Sequence, residues 1–461
     1  MRPRSVDAVG WWLALTLIAV YVLLRTFDAP QPLILAWTAV AAALAVASPL
    51  GGLTVLAALG PFTEALADDG RITAIPFLIA AVGAGLLIRV ALKRRVPRPN
   101  VPLVLAVVLL AGTALGVAHT ALDFGVALGL QAAQAWVPGI GGGLTVLLAS
   151  AWVAWRGDPR PIYVALASIG VAALASLADY LAGGQILAGP LGWVLREHDP
   201  ARLTEIIPAP NAAAAIFVLG GAMGASGASF AMRRDVRVAG LGLAAVSLAA
   251  LILTFSRSGW LAAGLVLTVL GWHWRRRVGL AAAGIVLVLI VGVVATGLVR
   301  EVPLIADHLR LDAWSAAVRM WLADPLFGHG FRSFEWLHPS YGSAELDAPH
   351  NEYLRLLAEE GVVVGLAGAA LALLTPRTIL RAGGWLAAGA AAATAGFFLM
   401  ATFNNPFLYT QVNVPAFLIM GIGLGLSLSG RAAPGPIGPP SAAWSGRCDQ
   451  RVGRWLGSSN E

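Results

Sequence analysis

The stretch 237-RVAGLGLAAVSLAALILTFSRSGWLAAGLVLTVLGWHWRRR-277 decides the fold. Its two apolar runs, 237–254 and 259–274, each approach the ~20 residues that a membrane-crossing helix needs. Only the short segment 255–258 lies between them, so they form a tight helical hairpin. Arginines stand at both far ends: Arg233, Arg234 and Arg237 before the first run, Arg275, Arg276 and Arg277 after the second. Basic residues collect on the cytoplasmic side of membrane proteins, which puts the 255–258 turn on the outer face. Arg257 is then the exception, an arginine placed against that bias.

The same pattern extends in both directions. The chain has 461 residues, 58% hydrophobic and 12% charged, with a mean hydropathy of +0.78. A soluble domain carries roughly 25% charged residues, so the solvent for this apolar surface is lipid. The 53 glycines suit close helix packing in a bilayer. Candidate spans fall near 10–27, 31–47, 50–66, 74–92, 101–119, 137–155, 161–182, 211–231, 237–254, 259–274, 278–299, 355–374, 384–402 and 411–429. The short pair 31–47 and 50–66 could lower the count. The fold class expected is all-α: a polytopic bundle of 12–14 transmembrane helices with one large extracytoplasmic loop containing short helices. The N-terminal MRPR…WWLALTLIAVYVLL reads as the first of these helices, since no convincing cleavage motif follows.

With the N-terminus inside, the basic gaps fall in phase: Lys93 to Arg95 with Arg98, Arg156 with Arg160, Arg233 to Arg237, Arg275 to Arg277, Arg377 with Arg381, and the tail. The net charge of +7 is accounted for by these gaps. No basic domain exists to bind nucleic acid. Cys448 is the single cysteine, which excludes an intramolecular disulfide and a thiolate zinc cluster. The expected organisation is an N-terminal helical region 1–182, a second membrane region 183–429 that includes the outer loop 300–354, and a disordered cytoplasmic tail 430–461, rich in Gly, Pro and Ser. No internal repeat is visible.

The polar chemistry concentrates on the outer side. Arg257 either reaches back to lipid headgroups or meets an anionic ligand, for which Ser256, Ser258 and Gly259 leave room. In the large loop, 308–322 has helical spacing: Leu309, Ala313, Ala316, Ala317 and Met320 share one side, with Arg310 and Arg319 on others. This helix is expected to lie apolar side down on the membrane. The segment 324-DPLFGHGFRSF-334, which carries Arg332, reads as a turn. In 347-DAPHNEYLRLLAEEG-361, Asp347 can cap a helix starting at Ala348–Pro349, with His350 in its first turn. Glu352 with Arg355, and Arg355 with Glu359, have ion-pair spacing. A helix N-terminus favours anions, and histidine moves protons near neutral pH. An isolated histidine here would be a solvated helix start; beside several arginines it suggests a phosphate-bearing substrate and a hydroxyl that needs activation. No HExxH and no metal-spaced carboxylate cluster appears, and Asp68–Asp69 reads as a solvated turn.

SRSG at a helix junction, then DPLFGHGFRSF, then HNEYLRLLAEEGVVVGL at the re-entry into the membrane, resemble the O-antigen ligase and O-antigen polymerase superfamily over roughly 195–425. The segment 202-RLTEIIPAPNAAAAIF-217 is similar to that family's PN motif. The resemblance implies a metal-independent, cofactor-free, multi-span glycosyltransferase of the bacterial inner membrane, active on the outer face. Its donor is a glycan on undecaprenyl pyrophosphate, and its acceptor is the lipid A core or a similar glycolipid or glycan. Membrane lipid is its other partner. Carried over, Arg257 and Arg310 bind the donor pyrophosphate and His350 activates the acceptor hydroxyl. The implied substrate-binding set is Arg202, Asn211, Ser256, Arg319, Arg332, Asn351, Tyr353 and Glu359. The outer turn 402-TFNNPFLYTQ-411 departs from the family by lacking an acid. A polymerase shares the same donor grip. A lipid-linked sugar transporter would instead show broken helices and mid-membrane charges.

Overall fold

A computed structural model describes residues 5–27, 29–63, 74–92, 97–184, 203, 209–284, 287, 305–343 and 345–429. The helices are α1 Ser5–Thr26, α2 Gln31–Ala47, α3 Pro49–Leu59, α4 Ala74–Leu92, α5 Val101–Phe124, α6 Val126–Trp136, α7 Ile140–Trp155, α8 Arg160–Leu181, α9 Pro210–Phe230, α10 Arg234–Leu253, α11 Arg257–Trp274, α12 Ile305–Ala323, α13 Glu352–Leu380, α14 Gly384–Ala401 and α15 Thr410–Leu428. Among the described residues there is no strand. Among the described residues ten helical segments are long and apolar enough to cross a membrane, one of them formed by α6 and α7 together, and Gln31–Ala47 and Pro49–Phe62 are shorter apolar helices. The protein is a polytopic helical membrane protein. Most of the expected span 278–299, Arg202 and the tail lie outside the described residues.

The helices sort into a central and a peripheral set. The most apolar window of α15 is 83% buried, and that of α10 only 22%. Small residues explain why α14 (GWLAAGAAAATAGFFLMA) and α15 occupy the centre, because lipid supplies no hydrophobic drive between helices and close backbone packing must do so. Gly421 and Gly425 of α15 lie on the Leu147 and Ala151 carbonyls of α7, where any Cβ would intrude. Peripheral α10 presents Val238, Leu241, Leu248 and Ile252 outward.

Three local expectations are corrected. The helix of the 347–361 stretch begins at Glu352, not at Ala348: Asn351 is its N-cap, accepting from the Tyr353 and Leu354 N–H groups, and Asp347 caps nothing there. His350 therefore precedes the helix. The loop helix α12 forms as expected, but Ala313, Ala316, Ala317 and Met320 pack on Phe334 and Ala358 of the protein itself rather than on lipid. Periodicity marked the apolar face and could not say what covers it. Finally, α13 is broken in its first third, at Gly361 (φ 77°, ψ −177°).

Candidate active site

The break in α13 builds the site. It frees carbonyls that an intact helix would use internally. The turn 324–334 satisfies them: His329 N donates to Ala358 O (3.2 Å) and Gly330 N to Glu359 O (2.8 Å), while Val362 N donates to Pro325 O (2.9 Å). Gly328 and Gly330 adopt φ 67° and 90°. A Cβ at Gly328 would press on the Glu359 carbonyl. The glycines thus permit backbone-on-backbone contact. On the other side, Phe331 N donates to Gly116 O (3.1 Å) and Thr120 Oγ1 to Phe331 O (2.9 Å), tying the turn to α5.

Above this seam lies a hollow of about 350 Å³, whose polar lining includes Arg332, Glu335, His350, Arg355, Glu359 and Asn405. His350 has φ 50° and Arg332 φ 69°. Burial, then the nearby Arg310 cation, push the His350 proton affinity below the ordinary histidine range, with Asp347 opposing. The neutral imidazole, the form able to accept a proton, is thereby favoured at neutral pH. Two other loop histidines are engaged by backbone: His329 meets Met320 O (2.9 Å), and His338 Nδ1 meets Ser343 O. Arg332 is paired with Glu335. Beneath, buried Arg355 donates to Glu352 and to Glu359 Oε2 (2.8 Å), and its guanidinium lies over the Phe331 ring. Glu359 also accepts from Phe334 N (3.4 Å), so this ion pair holds the turn that presents Arg332.

A second polar cluster surrounds Arg257. Phe255 at φ 49° turns the chain out of α10. Ser256 caps α11, accepting from Gly259 N (3.2 Å), and its Oγ donates to Asn211 Oδ1 (2.7 Å) at the start of α9. Asn404 Nδ2 donates to Ser258 Oγ (2.9 Å). Arg257 is exposed at the first position of α11. The two clusters meet at the 404–405 turn, since Asn404 holds the Arg257 turn and Asn405 lines the hollow. The N-termini of α9, α11, α13 and α15 thus gather at one end of the bundle. Their partial positive charges favour an anion there.

The expected residues divide accordingly. Arg332, His350 and Glu359 share the hollow, and Arg310 acts on His350 electrostatically. Asn211 and Ser256 position the Arg257 turn. Asn351 is a cap, and Tyr353 donates its hydroxyl to Phe398 O (3.0 Å). Arg319 is outside the hollow's lining and donates to Tyr341 O (2.8 Å), holding the loop. Sequence reasoning missed Glu335 and Asn405 as members of the site. The first was signalled by its three-residue spacing from Arg332; the second had no signal beyond a polar doublet in an outer turn.

Fold and hollow together define a multi-pass helical membrane protein with a polar, histidine-bearing site at one end. Residues 241–369, which run from α10 into α13 and include Arg257, Arg310, Arg332, His350 and Glu359, match the family model described as O-Antigen ligase, so this segment is similar to that family. No curated protein matches the chain.

Proposed function

We propose that the protein is a metal-independent glycosyltransferase of the bacterial cytoplasmic membrane, transferring a glycan from undecaprenyl pyrophosphate to a sugar hydroxyl of a glycolipid acceptor on the outer face. The observation that carries this reading is the placement of His350, with lowered proton affinity, in one hollow beside Arg332 and within the field of Arg310. The outer-face assignment rests on the arginines at 233–237, 275–277 and 377–381, which fall at the opposite helix ends. An apolar groove of about 450 Å³, lined by Leu265, Tyr353, Leu373, Pro376, Phe398 and Leu399, runs from Tyr353 along α11, α13 and α14 and supports a lipid-borne donor.

In this mechanism the acceptor oxygen attacks the anomeric carbon from the side opposite the carrier. The carbon–oxygen bond to pyrophosphate breaks with its electrons going to the leaving phosphate, and the hydroxyl proton passes to His350. Inversion follows. Arg257 and Arg310 stabilise charge that grows on the phosphate oxygens, so they act more strongly on the transition state than on bound donor. Arg257→Ala is expected to insert normally and to lose transfer by about 10²–10³-fold, measured with purified protein and extracted lipid-pyrophosphate glycan. Near-normal transfer by that variant would overturn the proposal. Gene deletion followed by gel analysis of surface glycans separates the two family activities: retained lipid-linked polymer without attachment means ligase, and single-repeat products mean polymerase.

A further inference from the structure

Asn405 has no place in the chemistry above, and its environment is unusual. It sits in the turn between α14 and α15, is 3% exposed, and lines the same hollow as His350. Neither its amide oxygen nor its amide nitrogen has a hydrogen-bond partner among the described residues. A buried amide with both ends unpaired is costly, and native structures rarely keep one without a use. The turn does not need it. Asn404 Nδ2 already donates to Ser258 Oγ and to Met400 O (3.3 Å), and Asn413 Nδ2 donates to Phe407 O (2.8 Å). Asn405 even occupies the cap position of the short helix Pro406–Leu408 without its side chain capping it.

The unpaired groups identify the ligand chemistry. A primary amide offers one acceptor and a two-proton donor side by side. A pyrophosphate would satisfy the nitrogen and set its own negative oxygens against the carbonyl. A sugar hydroxyl, or a neighbouring pair of them, both donates and accepts and so satisfies both ends. The two arginines that line the hollow have partners of their own: Arg355 with Glu352 and Glu359, and Arg332 with Glu335. We propose that Asn405 is a specificity-determining contact to the acceptor sugar, gripping a hydroxyl next to the one that His350 deprotonates. This rests on the glycosyltransfer reading given above. A site built to hydrogen-bond a hydroxyl discriminates strongly against a ligand that cannot fill it.

The test uses full-length protein reconstituted in lipid, with lipid-pyrophosphate glycan extracted from the source cells as donor and the same cells' glycolipid extract as acceptor. The KM for each is measured in wild type, Asn405→Ala and the equally sized Asn405→Asp. Asn405→Ala is expected to raise the acceptor KM about tenfold, the loss of roughly one hydrogen bond, and to leave the donor KM within about twofold. Asn405→Asp keeps the acceptor oxygen and is expected to fall between wild type and Asn405→Ala. A merely structural role lowers the active fraction and hence the apparent kcat, with both KM values unchanged; that outcome overturns the proposal. A rise confined to the donor KM overturns it too, by moving the contact to the carrier side. Wild-type protein that consumes no donor defeats the glycosyltransfer reading, and this inference with it.

Discussion

His350 combines a left-handed backbone with a weakened hold on its proton. Each residue with a side chain held at such a φ costs about 1–3 kcal/mol, and such strain collects where function demands it. The three examples among the described residues, Phe255, Arg332 and His350, all lie in turns that carry candidate site residues. The pH consequence follows by sign. A lowered affinity keeps the imidazole neutral down to more acid pH, so the acid limb of the rate profile is expected below the ordinary histidine value of about 6.5. Arg310 opposes the charged form, so Arg310→Gln raises the affinity and moves that limb to higher pH. Asp347 favours the charged form, and Asp347→Asn moves the limb lower. These shifts are read from kcat/KM across pH in reconstituted protein. Removing the base altogether, His350→Ala, is expected to slow transfer by about 10²–10⁴-fold. A profile that is flat, and the same in all three variants, would exclude histidine as the base.

At the scale of elements, the site depends on a helix that stops and restarts. Gly361 is both the break and the docking surface, since a Cβ there would drive into the Leu326 carbonyl. Gly361→Ala is expected to lift the 324–334 turn off α13, lowering the melting temperature in detergent and abolishing transfer together. The ion pairs below can be tested separately. Arg355 and Glu359 are each 2% exposed. Removing one partner of such a pair leaves a buried charge uncompensated, at about 3–5 kcal/mol. Arg355→Ala, which strands two carboxylates, is expected to melt earlier than Glu359→Gln, and equal melting would contradict that account. The helical spacing of Glu352, Arg355 and Glu359 made these pairs legible in the sequence. The break was not, because a single glycine in an apolar run fits an unbroken helix as well. The cap was misplaced for a related reason: Asp347, Asn351 and the proline between them all carry start signals, and only the φ of His350 settles which one the chain uses. Helix α6, eleven residues long and only partly buried, was too short to register as a span.

For the whole molecule, hydropathy alone made the class legible, because lipid accepts only segments that satisfy their own backbone. It could not place the helices, since peripheral α4, α5 and α10 are more apolar than central α14 and α15; small residues do that. Gly421→Leu is therefore expected to push α15 from α7 and lower the melting temperature more than the same change at Gly242, which has open space beside it. The orientation of the hollow is the remaining global claim, and it rests on charge placement. It can be measured with single cysteines in a Cys448→Ala background, Cys448 being the chain's one native thiol. Ser340 and Arg276 are both exposed, the first in the loop that supplies Arg332 and Glu335 to the hollow and the second just past the end of α11. Ser340→Cys is expected to react with a membrane-impermeant maleimide in intact spheroplasts, and Arg276→Cys only after the membrane is opened. The opposite pattern would set the hollow in the cytoplasm, away from any acceptor on the outer leaflet, and would overturn the proposed transfer on the outer face.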